Sequence, residues 1–118
     1  MGIDAVILAR FNCAVPDARI IALNERLQVF DVTALRCEFE YTEEIAGLMK
    51  RGAKFLEIVG LGRYCSPNHL RGNLPHLYAV CCVLEALTGA EIWYGGDDGN
   101  IQKWNHEEMR EWMGEYGC

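Results

Sequence analysis

Two hydrophobic periodicities alternate along the chain, and this alternation limits its fold more than any other feature of the sequence. Apolar or strictly alternating runs at 4–11, 34–41, 54–59 and 90–94 have the two-residue period of strands. Between them, apolar residues recur every three or four positions, as on one face of a helix. This order predicts a single α/β or α+β domain with a four-stranded mixed sheet and three to four helices. A ferredoxin-like strand order fits if the short helix at 43–51 is an insertion between paired strands.

Residues that favour helix ends mark the helical segments. The predicted helices begin at residues suited to a cap or a first turn, namely Pro16, Thr42, Pro75 and Asn105. Gly52, Gly89 and Gly117 suit the left-handed stop after a helix. The last helix is therefore predicted to run to residue 116.

The apolar faces of the periodic segments define a predicted core. Its members are Val6, Ile7, Leu8, Ile20, Leu23, Leu27, Cys37, Phe39, Leu56, Ile58, Val80, Leu84, Ile92 and Met109. The run at 34–41 carries charged residues at alternate positions opposite Cys37 and Phe39. One face of that strand is therefore expected to be exposed to solvent, and the strand is predicted to lie near an edge of the sheet.

Length, charge and the first apolar run indicate which classes of protein this chain does not resemble. The 118 residues form one predicted domain, 1–118, and the formal net charge of −6 would repel a phosphate backbone. We therefore expect no non-specific nucleic-acid binding. The first apolar run has no basic residue ahead of it and is too short for a signal peptide or a membrane span. A cytoplasmic protein with no membrane association is expected, and the sequence leaves the oligomeric state open.

The six cysteines are interpreted as reduced thiols. Cys37 and Cys81 lie on apolar faces of a predicted strand and a predicted helix, where a free cysteine acts as a small hydrophobe. A reducing cytosol also disfavours disulfides. A zinc site is the alternative, with the ligands Cys13, Cys65, His69 and His76. No Cys-x-x-Cys pair supports it, so we expect no bound metal and no cofactor.

Two segments that follow predicted strands, 63–72 and 93–100, concentrate polar and aromatic groups that have no evident structural role. Ligands of α/β domains tend to bind in loops beyond strand ends, so both segments are predicted to border one cleft. The candidate ligand-binding residues are Arg63, Tyr64, His69, Arg71, Trp93, Tyr94, Asp97 and Asp98. The arginines suit an anionic or nucleotide-like ligand. In the competing interpretation they pair with the aspartates and only join the two loops.

Catalysis has weaker support in the sequence. The string Gly95-Gly96-Asp97-Asp98 resembles the metal-binding turn of palm-domain polymerases and nucleotidyl cyclases, which align phosphoryl transfer with two metal ions. Those enzymes need a further carboxylate, for which only Asp4 and Asp31 are suitably placed in the sequence, and no basic triphosphate-binding cluster is present. The sequence also has no nucleophile elbow, dinucleotide fingerprint or Walker loop. We assign no catalytic residue and favour a binding protein over an enzyme.

Several short strings carry a resemblance to other proteins. They are Met1-Gly2-Ile3-Asp4, Arg63-Tyr64-Cys65-Ser66-Pro67, Arg71-Gly72 with Pro75, and Glu91-Ile92-Trp93-Tyr94-Gly95-Gly96-Asp97. Together they look like segments of small uncharacterised proteins found in bacteria and their phages. The resemblance brings no activity with it. It implies only that the two loops belong together.

Three functions are consistent with these observations. The first is a small binding module for an anionic or nucleotide-like ligand. The second is a phage-encoded or bacterial interaction factor that inhibits a host or defence protein, using an acidic face and the aromatics Trp93, Tyr94 and Trp104. The third is a metal-dependent phosphotransfer enzyme. A ligand site requires a concave pocket, whereas an interaction factor can use a flat patch.

Overall fold

The computed structural model describes residues 5–61, 67–96, 99, 101–104 and 107–108, with only the backbone described at 67–75. The elements in chain order are β1 (Ala5–Phe11), α1 (Asp17–Leu27), β2 (Thr33–Cys37), α2 (Glu43–Lys50), β3 (Lys54–Val59), α3 (Pro67–Thr88), β4 (Glu91–Gly96) and β5 (Ile101–Lys103). A short 3₁₀ turn, Gln28–Phe30, follows α1. None of the helices in the described part of the chain has the length and apolar character that crossing a membrane requires.

The described strands form one five-stranded sheet in the order β2-β3-β1-β4-β5, and every neighbouring pair is antiparallel. The α+β class is as predicted, but the predictions of four strands and mixed direction are wrong. The fifth strand was missed because three residues are too few to show a period. The sheet is not mixed because each crossover helix passes one strand, which runs in the opposite direction.

The connections follow a split βαβ pattern. Helix α1 carries the chain from β1 past β3 to β2, and α3 carries it from β3 past β1 to β4. The neighbouring strands β2 and β3 are joined through α2. This is the connectivity expected if α2 is an insertion between paired strands.

The two faces of the sheet bury different apolar groups. On the first face, which we call the crossover face, Ile7 and Ile58 pack with residues of α1 and α3 such as Leu27 and Leu84. On the second, which we call the α2 face, Leu8, Phe55 and Trp93 pack with Ile45 of α2. Alternate residues of β1 therefore face two hydrophobic clusters, which explains why its sequence is almost continuously apolar.

Local signals set the ends of α2 as predicted. The Thr42 hydroxyl accepts a hydrogen bond from the Ile45 amide at 3.0 Å, which satisfies one free donor of the first turn. Glu43 and Glu44 lie in that turn and Lys50 in the last, as the helix dipole favours. Gly52 follows with φ +98°, a conformation that other residues rarely adopt.

Three predicted boundaries are wrong. Strand β4 runs to Gly96 instead of Tyr94, so residues 93–96 belong to a strand and not to a loop. Strand β2 ends at Cys37, and Phe39, a predicted core residue, is 64% exposed because it lies beyond the ladder that β2 forms with β3. Helix α3 begins at Pro67 instead of Pro75, so residues 67–72 are helical and do not belong to a loop. The position of β2 at an edge of the sheet agrees with the prediction.

Most of the remaining predicted core is buried. The buried members are Val6, Ile7, Leu8, Leu23, Leu27, Cys37, Leu56, Ile58, Val80, Leu84 and Ile92. Ile20 is half-buried against the same cluster, and Met109 lies outside the described residues.

The four described cysteines are free thiols, namely Cys13, Cys37, Cys81 and Cys82. Burial raises the pKa of the Cys81 thiol well above its ordinary value. Cys65 and Cys118 lie outside the described residues.

Candidate functional site

Strands β3 and β4 end on the same side of the sheet, which we call the loop end and define by Val59 and Gly96. Both strands pair with β1 in antiparallel register, with Ile58 opposite Ile7 on one side and Tyr94 opposite Ile7 on the other. The connections that follow them therefore leave the sheet on either side of the first residues of β1. At the spacing of neighbouring strands, the two exits are about 10 Å apart.

A glycine shapes the exit of β3. Gly60 has φ +95°, and a Cβ atom there would lie 2.9 Å from the main-chain oxygen of Asp31. A side chain would therefore clash with backbone as well as strain the conformation. Gly60 lets the chain pass close to the backbone just before β2.

Only part of the predicted site falls within the described residues. Arg63, Tyr64, Asp97 and Asp98 lie outside them. His69 and Arg71 lie in the first two turns of α3, where only the backbone is described. The predicted cleft between 63–72 and 93–100 thus stays a prediction.

The two described aromatic members of that site are buried in the core. Trp93 is 4% exposed and lies on the α2 face, whereas Tyr94 is 2% exposed and lies on the crossover face. The Tyr94 hydroxyl accepts a hydrogen bond from Gln102 Nε2 at 2.7 Å, and burial raises its pKa. Successive strand residues point to opposite faces, so these rings cannot form one stacking surface. Trp104, the third predicted interaction aromatic, is also buried.

A carboxyl group that the sequence analysis did not single out stands on the α2 face near the middle of the sheet. Glu57 lies opposite Leu8 of β1 and Leu35 of β2, and its Oε2 accepts a hydrogen bond from the Tyr41 hydroxyl. Within the described part of the chain no Lys or Arg forms an ion pair with it. Burial raises the pKa of Glu57, and the bond from Tyr41 does not offset this loss of solvation.

The Glu57–Tyr41 pair lies close to the connection between β4 and β5. A Cβ atom at Gly99 would lie 3.4 Å from the main-chain oxygen of Tyr41. Groups with shifted pKa values cluster at functional sites, so Glu57 is a candidate site residue. The sequence held a signal for it, because Glu57 shares a strand face with Phe55 and Val59.

A second polar cluster lies at the other end of the sheet and ties three strands together. Glu91 accepts hydrogen bonds from Trp93 Nε1 at 3.0 Å and Arg10 Nη1 at 3.4 Å, and pairs with Lys103 Nζ at 2.8 Å. Burial alone would raise the pKa of Glu91, but these donors, led by Lys103, outweigh it and lower the pKa. The cluster joins β1, β4 and β5, so we interpret it as structural.

Among the described residues, no group of three or more His, Cys, Asp or Glu side chains is placed to hold a metal ion. These residues therefore do not support metal-ion chemistry. Of the proposed phosphotransfer carboxylates, Asp4, Asp97 and Asp98 lie outside the described residues. Asp31 precedes β2, which stands three positions from β4 in the sheet, or about 14 Å. Of the proposed zinc ligands, Cys13 is exposed and His76 makes an edge contact with the Phe30 ring.

Comparison with known proteins found no matching family model, no matching curated protein and no matching solved structure.

Proposed function

We propose that the protein is a small binding module that holds an anionic ligand at the loop end of the sheet. The observation that supports this most directly is the shared exit of β3 and β4 on either side of β1. A ligand placed over the start of β1 would be within reach of both connections. Such crevices beyond strand ends are common ligand sites in layered α/β domains.

The residue types near this end suit an anion. Arg63 and Arg71 bracket the start of α3, and each guanidinium can give two parallel bonds to a phosphate or carboxylate. The helix that begins at Pro67 supplies amide donors and a positive dipole end. In this proposal Asp97 or Asp98 orients an arginine, while Trp93 and Tyr94 anchor the end of β4 in the core.

Calorimetric titration with inorganic phosphate and with AMP tests the proposal. Arg63→Ala and Arg71→Ala should each weaken binding of the better probe by more than about tenfold, because each removes a charge-assisted contact. Arg51→Ala is the matched control, since Arg51 is exposed in the turn after α2, at the other end of the sheet. Equal affinities in all three variants, or no binding of either probe, would contradict the proposal.

A second candidate, a protein-interaction factor, is favoured by exposed apolar groups beside β2. Phe39 is 64% and Leu35 49% exposed, and the Phe39 ring contacts that of Tyr41 edge to face at 4.6 Å between centroids. Leu35 lies on an edge strand and Phe39 just after it, and a group of exposed large apolar residues is more typical of a contact surface than single exposed residues are.

Co-purification from cells tests this second function. Phe39→Ser and Leu35→Ser should each release a bound partner protein. Val29→Ser is the control, because Val29 is 81% exposed on the 3₁₀ turn, away from this patch. A partner that stays bound to both serine variants would rule out the patch as its docking surface.

A further inference from the structure

The net negative charge of the chain conceals a basic end of the sheet opposite the loop end. Strands β1 and β2 finish there at Phe11 and Cys37, and β3 begins there at Lys54. The register places Arg36 opposite Leu56 and Lys54 opposite Phe11, so these two cations lie on the crossover face of this end, whereas Arg10 lies on the other face and pairs with Glu91. We call this region the basic end.

A cavity of about 340 Å³ opens at the basic end. Val15 and Leu56 line it on the crossover face, and Met49 and Phe55 line it on the α2 face. The volume lies within the usual range for small-molecule pockets of about 300–1,000 Å³.

The rim of this cavity carries a positioned cation. Arg36 Nη2 donates to the Val15 main-chain oxygen at 2.6 Å and forms an ion pair with Asp17 at 2.7 Å. These contacts use one nitrogen of the guanidinium, and its Nε and Nη1 bind no described acceptor. Arg36 therefore has donors left for a ligand. Lys54 adds a second, exposed cation on the same rim.

Nearby carboxylates restrict the charge of the ligand. Glu38 also lines the cavity, and Asp17 stays paired with Arg36. The two carboxylates offset the charge of the two cations, so the rim has no excess positive charge that would attract a polyphosphate, and direct bonds from Arg36 and Lys54 would hold at most one anionic group. The apolar wall requires that the rest of the ligand be a hydrocarbon or a flat ring.

We propose that the cavity at the basic end is a second ligand site, which takes a small monoanion with an apolar body. The head group, a carboxylate or sulfonate, lies between Arg36 and Lys54. The apolar body packs against Val15 and Leu56, which belong to the cluster on the crossover face, the side of the sheet that carries Arg36 and Lys54. This site is separate from the one at the loop end, and its existence does not depend on the function proposed there.

Titration with octanoate, followed through backbone amide NMR signals, tests this site. We expect the shifts to concentrate at 14–15, 36–38 and 53–56. Lys54→Ala should weaken octanoate binding roughly tenfold through the loss of a charge-assisted contact. Lys50→Ala is the matched control, because Lys50 is exposed at the end of α2 and does not line the cavity. It should bind octanoate like the unchanged protein.

Two further measurements make the result decisive. Octanamide, which has the same apolar body without the charge, should bind much more weakly than octanoate. Ala14→Phe, at the exposed mouth of the cavity, should block octanoate without unfolding the protein. Equal binding of octanoate and octanamide, unchanged affinity in Lys54→Ala, or shifts confined to the loop end would each overturn the proposal. Loss of phosphate binding at the loop end would leave it standing.

Discussion

At the scale of single residues, Glu57 is the position where the side chain fits its surroundings least well. It places a carboxyl on a sheet face otherwise occupied by groups such as Leu8 and Phe55, with Tyr41 as its described partner. Burial of an unpaired carboxylate is costly, so the neutral acid is favoured and the pKa rises.

This raised pKa predicts how stability depends on pH. Because the folded pKa of Glu57 lies above the ordinary value of 4.5, its stabilising contribution is fully present below that pH and is lost as pH rises through the folded pKa. Glu57→Gln keeps an acceptor for Tyr41 but cannot ionise. We expect the variant to be more stable than the unchanged protein at neutral pH, with the difference shrinking toward pH 4.

Urea unfolding from pH 4 to pH 8 provides the measurement for Glu57. Glu38→Gln, which removes one carboxylate at an exposed position, is the control. A Glu57→Gln variant that is less stable than the unchanged protein at every pH would show that the carboxylate is favourably bound in the folded state.

Leu84 gives a second prediction at this scale. It is fully buried on α3 against the crossover face, so Leu84→Ala should lower the free energy of unfolding by about 2–5 kcal/mol. Leu87→Ala, on the same helix but 41% exposed, should cost about 1 kcal/mol or less. Chemical denaturation of both variants decides the matter. A loss below about 0.5 kcal/mol for Leu84→Ala would contradict the burial of this helix face.

At the scale of elements, a side chain forms hydrogen bonds with the free edge of strand β2. Asn24 of α1 donates from Nδ2 to the Ala34 oxygen at 3.1 Å and accepts from the Ala34 amide at 2.7 Å. The amide group thereby occupies the position that a residue of a further strand would take. Native sheets commonly protect exposed edges in such ways against pairing with another copy.

We therefore predict that Asn24→Ala opens this edge. The unfolding free energy should fall by about 1–3 kcal/mol, because two main-chain groups lose their partner, and self-association should increase. Light scattering after size exclusion, over a range of concentrations, measures the second effect. Gln28→Ala, an exposed change just after α1, serves as control. An Asn24→Ala variant that stays as monodisperse as this control would argue against the protective role.

The elements also show what the sequence can and cannot predict. The ends of α2 follow from Thr42 and Gly52, whose effects are local. The end of β2 does not, because the alternation continues through Phe39 and Tyr41 although β3 offers pairing partners only as far as Cys37. Pro67 and Pro75 both suit the first turn of a helix, and the chemistry of proline does not choose between them.

The location of the candidate site could be predicted from local sequence features, but the burial of its residues could not. Residue types and the strand ends pointed to the loop end, which both connections share. They could not show that Trp93 and Tyr94 turn inward, since burial depends on strands and helices distant in sequence. The sequence carries a signal for Glu57 in the strand face that it shares with Phe55 and Val59, but its burial depends on the neighbouring strands β1 and β2.

At the scale of the whole molecule, the two ends of the sheet have different characters. The loop end receives the connections after β3 and β4, whereas the basic end has a cavity lined by Arg36 and Lys54. In split βαβ topology both ends are lined by several connections, so one small domain can present two separate sites.

The proposed binding of an anion at the loop end is the central claim, and amide NMR during titration with phosphate and AMP tests it most directly. Binding should shift signals from Val59–Leu61 and Gly95–Gly99 together, with the same apparent affinity, because one ligand would contact both connections. Shifts on only one of these segments, or shifts confined to the basic end, would contradict the claim.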